Sequence, residues 1–499
     1  MIFNSYNFIF IFLPIAFFGF FLLSKIKKTY GITWLGFVSI FFYSYWSLYS
    51  LPVLIISILM NFNVGKKIYT TSPKNKFNIL LIGIFLNLFL LSYFKYTNFF
   101  IDNINYIFSY YKIPVINNLN IILPIGISFF TFTQMAYLID TYYDKSKYYS
   151  FKNYLFFVTY FPHLVAGPII HHKQVMPQIK KDDTFIPDIK KITVGLIIFI
   201  IGLSKKVIIA DTVGLYVDKF YVNLNSNFNP DFFLSWLASL SYMIQLYFDF
   251  SGYSDMAIGL SLLFGIFLPW NFNSPLKSIS IIDFWQRWHM SLTRFINQYL
   301  FNPLSLKMIR YSTGKTILIE SLFSLIFPIL ITFFLLGIWH GANWTFAIFG
   351  MIHAFLMITN HLWRNRNFFK GIDDNLFIKN IYWLLTFLSI IFSFVIFRAE
   401  SVISGIYIYK GMFGINGINF ILPNIKLIII LIISMFLILK TKSTYDLVET
   451  FFDKKKLRKL GYKSKIDSEI SFYSILSGIL LFICLLQLST PTTFLYYQF

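Results

Sequence analysis

A chain of 499 residues that is 57% hydrophobic and 13% charged, with a mean hydropathy of +0.66, is too apolar to stay dispersed in water as a globular protein. Its formal charge of +21 would suit nucleic acid, but the lysines sit in short loops between apolar runs, where the positive-inside rule places them. A lipid bilayer, and no nucleic acid, is therefore the expected partner. The single cysteine, Cys484, excludes an intramolecular disulfide and a thiolate metal site.

Runs of roughly 20 apolar residues can span a bilayer, and the sequence predicts an all-α polytopic membrane protein with about 11–13 membrane helices plus re-entrant or interfacial ones. Residues 6–24 form the first span, with no positive charge before it and Lys25, Lys27 and Lys28 directly after, which sets the N-terminus outside. A signal peptide would carry the opposite asymmetry. Runs at 33–48 and 51–64, broken near Pro52, return the chain to Lys66, Lys67, Lys74 and Lys76. A span at 77–98 leads to a polar segment at 102–118, expected outside.

From Leu123 to Gln134, Pro124 and Gly126 interrupt a run studded with small hydroxyls, followed by Tyr137 and Asp140. A broken helix of this kind either lines a cavity or packs as a kinked helix. Phe161 to Pro168 holds two prolines and a glycine and is expected to be a re-entrant loop. His171 and His172 then meet a run of lysines. With no further ligand at suitable spacing, no metal site is expected there.

Spans at 192–210 and 232–247 lead to Asp249 and Asp255, which flank an expected glycine break at Gly252 between apolar runs. Six residues apart, they do not share a helical face, so a paired-carboxylate acid and base is not supported. Asp255 is expected to cap a helix and Asp249 to face a cation. In the stretch from Asp283 to Arg294, i, i+4 spacing puts Trp285 and His289 on one face of an amphipathic helix. Arg287, Arg294 and Arg310 fall close together in a chain with seven arginines, either as forks for carboxylate or phosphate or as solvated interface residues.

The span at 317–339 delivers His340 within Phe334 to Trp344, an ionisable imidazole in a run otherwise fit for lipid. Trp339 and Trp344 are expected to wall it, and Gly337 and Gly341 to admit a neighbouring helix. Asn343 completes the motif. The alternative is a buried histidine satisfied by a backbone carbonyl. His353, in the next span at 345–363, is out of phase with His340 and reads as a packing or hydrogen-bonded histidine. Arg398 and Glu400, at the end of the span at 380–397, are expected to pair. The largest basic loop, Lys440 to Glu469, carries nine Lys or Arg and is expected in the cytoplasm. No internal repeat is evident, which weakens an inverted-repeat transporter.

Together, six motifs from about residue 120 to 400 resemble the bacterial branch of the membrane-bound O-acyltransferase (MBOAT) family. They are Pro124 to Gln134, Phe161 to Pro168, Tyr247 to Gly259, Phe284 to Ser291, Trp339 to Trp344 and Phe397 to Ala399. The resemblance is to the alginate and peptidoglycan O-acetylating members, with teichoic acid D-alanyl transfer proteins more distant. The chain departs from the family pattern at His163 and His171, where relatives tend to carry glutamine and arginine. The resemblance implies one membrane domain over 1–499 around a central funnel, with N-terminal helices at 1–118, a core at 119–400 and C-terminal helices at 401–499. It implies His340 and His289 as the catalytic residues, His340 as general base or covalent acyl carrier and His289 to orient the thioester, steady the oxyanion or hold the helix; Trp285, Arg287, Trp339, Asn343, Asp249 and Asp255 are the donor- or substrate-binding candidates. Acetyl-CoA is the implied donor, with no resident cofactor, a polysaccharide the acceptor, and an extracytoplasmic acyltransferase the partner, in a bacterial inner membrane. The competing expectations are D-alanyl-type transfer from a carrier protein, a polysaccharide flippase or other transporter, and a non-catalytic membrane scaffold for a polymer-modifying complex.

Overall fold

The computed structural model describes residues 1–143, 149–224, 229–364, 375–420, 423–452, 463–488 and 494–495, and these are helical with no strand among them. Helices are the outcome expected of apolar runs, because a backbone in lipid has to satisfy its polar groups within its own segment. A π-helical turn at Asn7–Phe12 opens into α1 (Leu13–Ile26), which forms a hairpin with α2 (Lys28–Trp46) about the extended Lys27. There follow α3 (Leu51–Thr70), α4 (Pro73–Tyr110), α5 (Ile127–Tyr142), α6 (Ile189–Ser204) and α7 (Phe232–Leu263). Two short helices, α8 (Ile281–Arg287) and α9 (Met290–Ile296), precede α10 (Phe327–His340), α11 (Trp344–Arg364) and α12 (Leu376–Arg398).

Among the described residues, eight helical segments are long and apolar enough to cross a membrane, including Pro73–Tyr110, Ile317–His340, Trp344–Arg364 and Leu376–Arg398. The roughly 11–13 expected from the sequence include shorter helices, such as the 16-residue Ile425–Lys440.

Buried polar side chains bind helices to one another. Asn61 and Asn87 exchange amide hydrogen bonds of 3.0 and 2.7 Å between α3 and α4. Gln134 on α5 donates to Ser57 at 2.9 Å and accepts from Tyr154 at 3.1 Å. The later half of the 123–134 stretch is thus a packing surface. Its first half lines a cavity: Pro124 to Phe129 face Lys95, Val165 and Trp339. Gly126 starts α5 at φ 72°, and a Cβ there would lie 2.8 Å from the Leu164 carbonyl oxygen. Phe161 to Pro168 make a short helix and an irregular turn in which each residue is buried, as irregular backbone at membrane depth has to be.

Helix α7 corrects the expectation of a glycine break. It runs unbroken through Gly252, so Asp255 lies inside a helix and caps nothing. Gly252 and Gly259 instead let α6 approach: a Cβ on Gly202 would lie 2.5 Å from the Gly252 carbonyl oxygen, and one on Gly259 2.5 Å from that of Gly195. That approach brings consecutive lysines onto the two carboxylates. Lys206 reaches Asp249 at 2.6 Å and Asp211 at 2.7 Å, while Lys205 reaches Asp255 at 2.6 Å. Thr444 donates to Asp255 at 2.9 Å, and the backbone N–H of Leu495 donates to Asp249 at 3.0 Å.

Contacts between connections sort the helix ends into two faces. Lys28 pairs with Asp182, Gln178 donates to the Phe267 carbonyl at 2.9 Å, and Lys277 donates to that of Thr441 at 2.8 Å. These gather basic connections on one face. Trp383, early in α12, donates to the Leu276 carbonyl at the same face, so the far end of this 23-residue helix lies at the other. There Asn343 donates to the Glu400 carbonyl at 2.9 Å, and Trp344 donates to Asn103 at 2.9 Å. Part of the basic loop expected at 440–469, residues 453–462, lies outside the described residues.

Candidate active site

Helix α10 is built to end abruptly. Pro328 follows closely on the π-helical turn Leu322–Ile326, and beyond His340 the chain continues extended at Gly341. The carbonyls of its last turn therefore look outside the helix for donors. α11 folds back along α10 through small residues: a Cβ on Gly337 would lie 2.3 Å from the Phe346 carbonyl oxygen, and one on Gly350 2.2 Å from that of Phe333. Gly341 lies just past the helix, where a Cβ would meet the Phe346 ring at 2.1 Å.

His340 is buried at this turn, 8% exposed. Its ring stands among Trp339, Phe349 and Phe397, at centroid distances of 4.9, 6.0 and 5.3 Å. Trp339 stacks on Phe132 at 5.3 Å. Trp344 is no wall: it is 53% exposed, with its ring against Phe99. Asn343 closes the loop between α10 and α11, accepting from Thr345 N–H at 3.1 Å while it donates to Glu400. Arg398, expected to pair with Glu400, is engaged with Asp218 and Tyr221. Its guanidinium lies over Tyr221 at 4.4 Å and donates to Asp218 at 3.3 Å.

The expected helical relation between Trp285 and His289 also needs correction. α8 stops at Arg287, Trp288 is extended, and His289 takes the left-handed conformation at φ 44° before α9 begins. Such a φ is uncommon outside glycine and stores strain that the surroundings have to hold. Asn271 holds it. Its carbonyl accepts Met290 N–H at 2.9 Å, while its side-chain oxygen faces His289 Nδ1 at 3.3 Å and accepts Ser291 Oγ–H at 2.5 Å. The amide of Asn271 in turn donates to Ser254 at 3.1 Å. An Nδ1–H donor to Asn271 makes Nε2 the basic nitrogen of His289. His289 packs against Phe250 at 4.7 Å.

Trp285 donates its indole N–H to His353 Nδ1 at 3.2 Å, and His353 Nε2 meets Ser393 at 3.0 Å. Both ring nitrogens of His353 are thus engaged, the hydrogen-bonded role its spacing predicts. Arg287 pairs with Asp283 at 2.7 Å. Arg294, with Gln286, Asn297, Gln298 and Asn302, lines an open polar recess of about 510 Å³ beside α9. Asp249 and Asp255 are engaged with lysines at the α6–α7 seam.

A second histidine cluster escaped the spacing argument. Asp140, His171 and His172 each place one ligand-capable atom within 4.8 Å of the others. Asp140 Oδ2 lies 3.1 Å from His171 Nε2, 3.0 Å from His172 Nε2 and 3.3 Å from Lys173 Nζ. His171 Nδ1 accepts the Lys173 backbone N–H at 3.2 Å, so its proton sits on Nε2. That tautomer meets the Tyr299 hydroxyl at 2.6 Å, keeps only an ion-pair contact with the carboxylate, and offers no lone pair to a metal ion. The cluster is a carboxylate satisfied by donors.

Lys95 is another residue that sequence reasoning passed over. From α4 it donates to the carbonyls of Trp339 at 2.5 Å and His340 at 3.0 Å, and adjacent Tyr96 donates to that of Ile338 at 3.0 Å. A lysine inside the 77–98 span was its signal. Asn271, in a loop, gave none.

This fold and site define a polytopic helical membrane protein with two buried imidazoles, His340 at the end of a membrane helix and His289 on a left-handed turn. The chain belongs to the membrane-bound O-acyltransferase family, whose sequence profile matches residues 9–408. It is 38% identical over 449 residues to the peptidoglycan O-acetyltransferase of Helicobacter pylori, covering 84% of this chain and 81% of the relative. To the probable alginate O-acetylase AlgI of Pseudomonas aeruginosa it is 36% identical over 418 residues, covering 83% and 75%. The teichoic acid D-alanyltransferase of Bacillus subtilis is 29% identical over 283 residues, 56% of this chain and 70% of that one. The protein is a membrane O-acyltransferase.

Proposed function

We propose that the protein is an O-acetyltransferase of the bacterial cytoplasmic membrane that serves O-acetylation of an extracytoplasmic polysaccharide, of the peptidoglycan or alginate kind named for its relatives. It takes the acetyl group from a cytoplasmic thioester, acetyl-CoA. In this reading the basic face is cytoplasmic, by the positive-inside rule, and the N-terminus lies outside. Residues 119–400 form the catalytic core, and the helices before and after it are its walls.

The observation that carries the reading is the burial of His340 among aromatic rings at the end of an apolar span. An ionisable group there is unfavourable unless it is used. His340 is the general base. It takes the proton of the attacking hydroxyl as that oxygen bonds to the thioester carbonyl carbon, a role typically contributing about 10²- to 10⁴-fold. The tetrahedral intermediate collapses with cleavage of the C–S bond, and the thiolate recovers the proton from the imidazolium. His289, its ring fixed by Asn271, holds the thioester in place. His353 is a poor candidate for the base, because Trp285 and Ser393 occupy both of its nitrogens.

The acceptor is handled with a partner. The connections on the face away from the lysines, such as 341–343 and 399–401, are far below the roughly 50 residues of a small domain and offer an extended glycan little grip. A separate extracytoplasmic transferase supplies the attacking hydroxyl, takes the acetyl group as an ester and passes it to a hydroxyl of the polysaccharide. His340→Ala tests the reading: ester content of the wall polymer should vanish at normal protein level, and near-normal ester content would refute it. Vesicles with acetyl-CoA inside and glycan outside test the partner, since efficient ester formation without added protein would remove the need for one.

A further inference from the structure

We infer that Lys95 is a positioning residue for His340: with the Tyr96 hydroxyl, its ammonium holds the three carbonyls that end α10 and so fixes the imidazole for acyl transfer. The inference rests on the proposed role of His340.

Helix α10 ends without the usual left-handed cap, since Gly341 is extended. The carbonyls of Ile338, Trp339 and His340 then need donors from another element. One turn of α4 supplies them: Tyr96 to Ile338 at 3.0 Å, Lys95 to Trp339 at 2.5 Å and Lys95 to His340 at 3.0 Å. Two adjacent side chains thus bind three consecutive carbonyls, across more than 240 residues of sequence. The ammonium also lies 5.8 Å from the centre of the Trp339 ring, against whose indole His340 packs. Hydrogen-bond donors are needed at this place because the carbonyl end of a helix carries partial negative charge. The chemistry asks for a lysine here: a point charge with three donors serves two converging carbonyls, where a neutral side chain of the same length serves none.

The consequence is geometric. α11 restrains α10 on one side through Gly337 and Gly350, and the ring of His340 is boxed by Phe349 and Phe397. The backbone that carries the ring is fixed from the other side by α4. Releasing it would let the last turn fray, and small misplacements of a reacting group cost up to about 100-fold in rate.

The test uses the full chain in nanodiscs with acetyl-CoA as probe, following thiol release. Lys95→Met should lower kcat by about 10- to 100-fold. Donor KM should stay within about twofold, because an interaction lost only from the transition-state geometry leaves ground-state binding alone. Lys95→Arg, which keeps the donors, should recover a large part of kcat, and Tyr96→Phe should show a smaller fall of the same kind. Wild-type kcat in Lys95→Met would overturn the inference. So would loss of kcat, KM and melting temperature together without rescue by arginine, which is the mark of packing alone. If Lys95→Met does not assemble, Tyr96→Phe decides: reduced kcat at unchanged KM supports the inference, and unchanged kcat overturns it. His340→Ala, run in parallel, separates the two ideas. An active His340→Ala removes the proposed base, whereas an inactive one beside a fully active Lys95→Met removes only the positioning role.

Discussion

The side-chain oxygen of Asn271 faces His289 Nδ1 at 3.3 Å and at the same time accepts the hydroxyl of Ser291 at 2.5 Å, so one amide sets both the ring and the start of the helix after it. Asn271→Ala strips these buried donors of their acceptor, and stability should fall by about 1–3 kcal/mol. Acyl transfer should fall by more than that loss explains, on the order of 10- to 100-fold, because the imidazole loses its orientation. Melting in detergent and wall-ester content measured together check this. Undiminished ester content in a destabilised variant would mean that His289 is not set through Asn271.

The backbone of His289 gives a separate expectation. At φ 44° it tolerates His, Asn or Gly but not a β-branched residue. His289→Asn and His289→Gly should remain folded and lose most activity. His289→Val should be less stable than His289→Asn by about 1–3 kcal/mol, because a β-branched side chain is strained in the left-handed region where Asn is tolerated. Equal melting of the Val and Asn variants would contradict the strained conformation.

The spans and His340 were legible because each rests on a local signal. Apolar runs set helices, and an imidazole in such a run marks itself. What escaped depends on contacts distant in sequence or on single backbone torsions. Helical spacing from Trp285 to His289 assumes a continuous helix, but the break at Trp288 turns Trp285 toward His353 and His289 toward Asn271. Gly252 reads as a break because glycine ends helices in water; in a bundle the same residue lets helices touch, and α7 passes through it. That single difference moves Asp255 from a cap to an ion pair. Lys95 sits in a run whose remaining residues fit lipid, and only the fold reveals the carbonyls it serves.

The Lys206–Asp249 pair at the α6–α7 seam should be structural. Removing one member of a buried pair typically costs about 3–5 kcal/mol. Lys206→Met, which leaves two carboxylates without their shared cation, should be more damaging than Asp211→Asn, whose side chain is partly exposed. Combining Lys206→Met with Asp249→Asn should recover part of the lost stability. Thermal melting of the three variants is the measurement, and a double variant no better than Lys206→Met would show that charge balance is not what the pair supplies.

Gly350→Ala tests whether His340 can be disturbed from a distance. The new Cβ would lie 2.2 Å from the Phe333 carbonyl oxygen and against Gly337 Cα at 3.1 Å, and neither backbone can rotate away as a flexible side chain could. α10 and α11 would have to separate. Overpacking of this kind costs about 1–3 kcal/mol, so the variant should fold with a lowered melting temperature. The separation would reach His340 through two routes: Phe349, beside Gly350, packs on the imidazole at 6.0 Å, and the end of α10 would pull against Lys95. Transfer should therefore drop on the order of 100-fold, although no atom of the imidazole has been changed. Ala347→Gly on the same helix loosens α11 without forcing it away and provides the control for stability. If Gly350→Ala and Ala347→Gly melt alike and transfer alike, the hairpin seam does not set the position of His340.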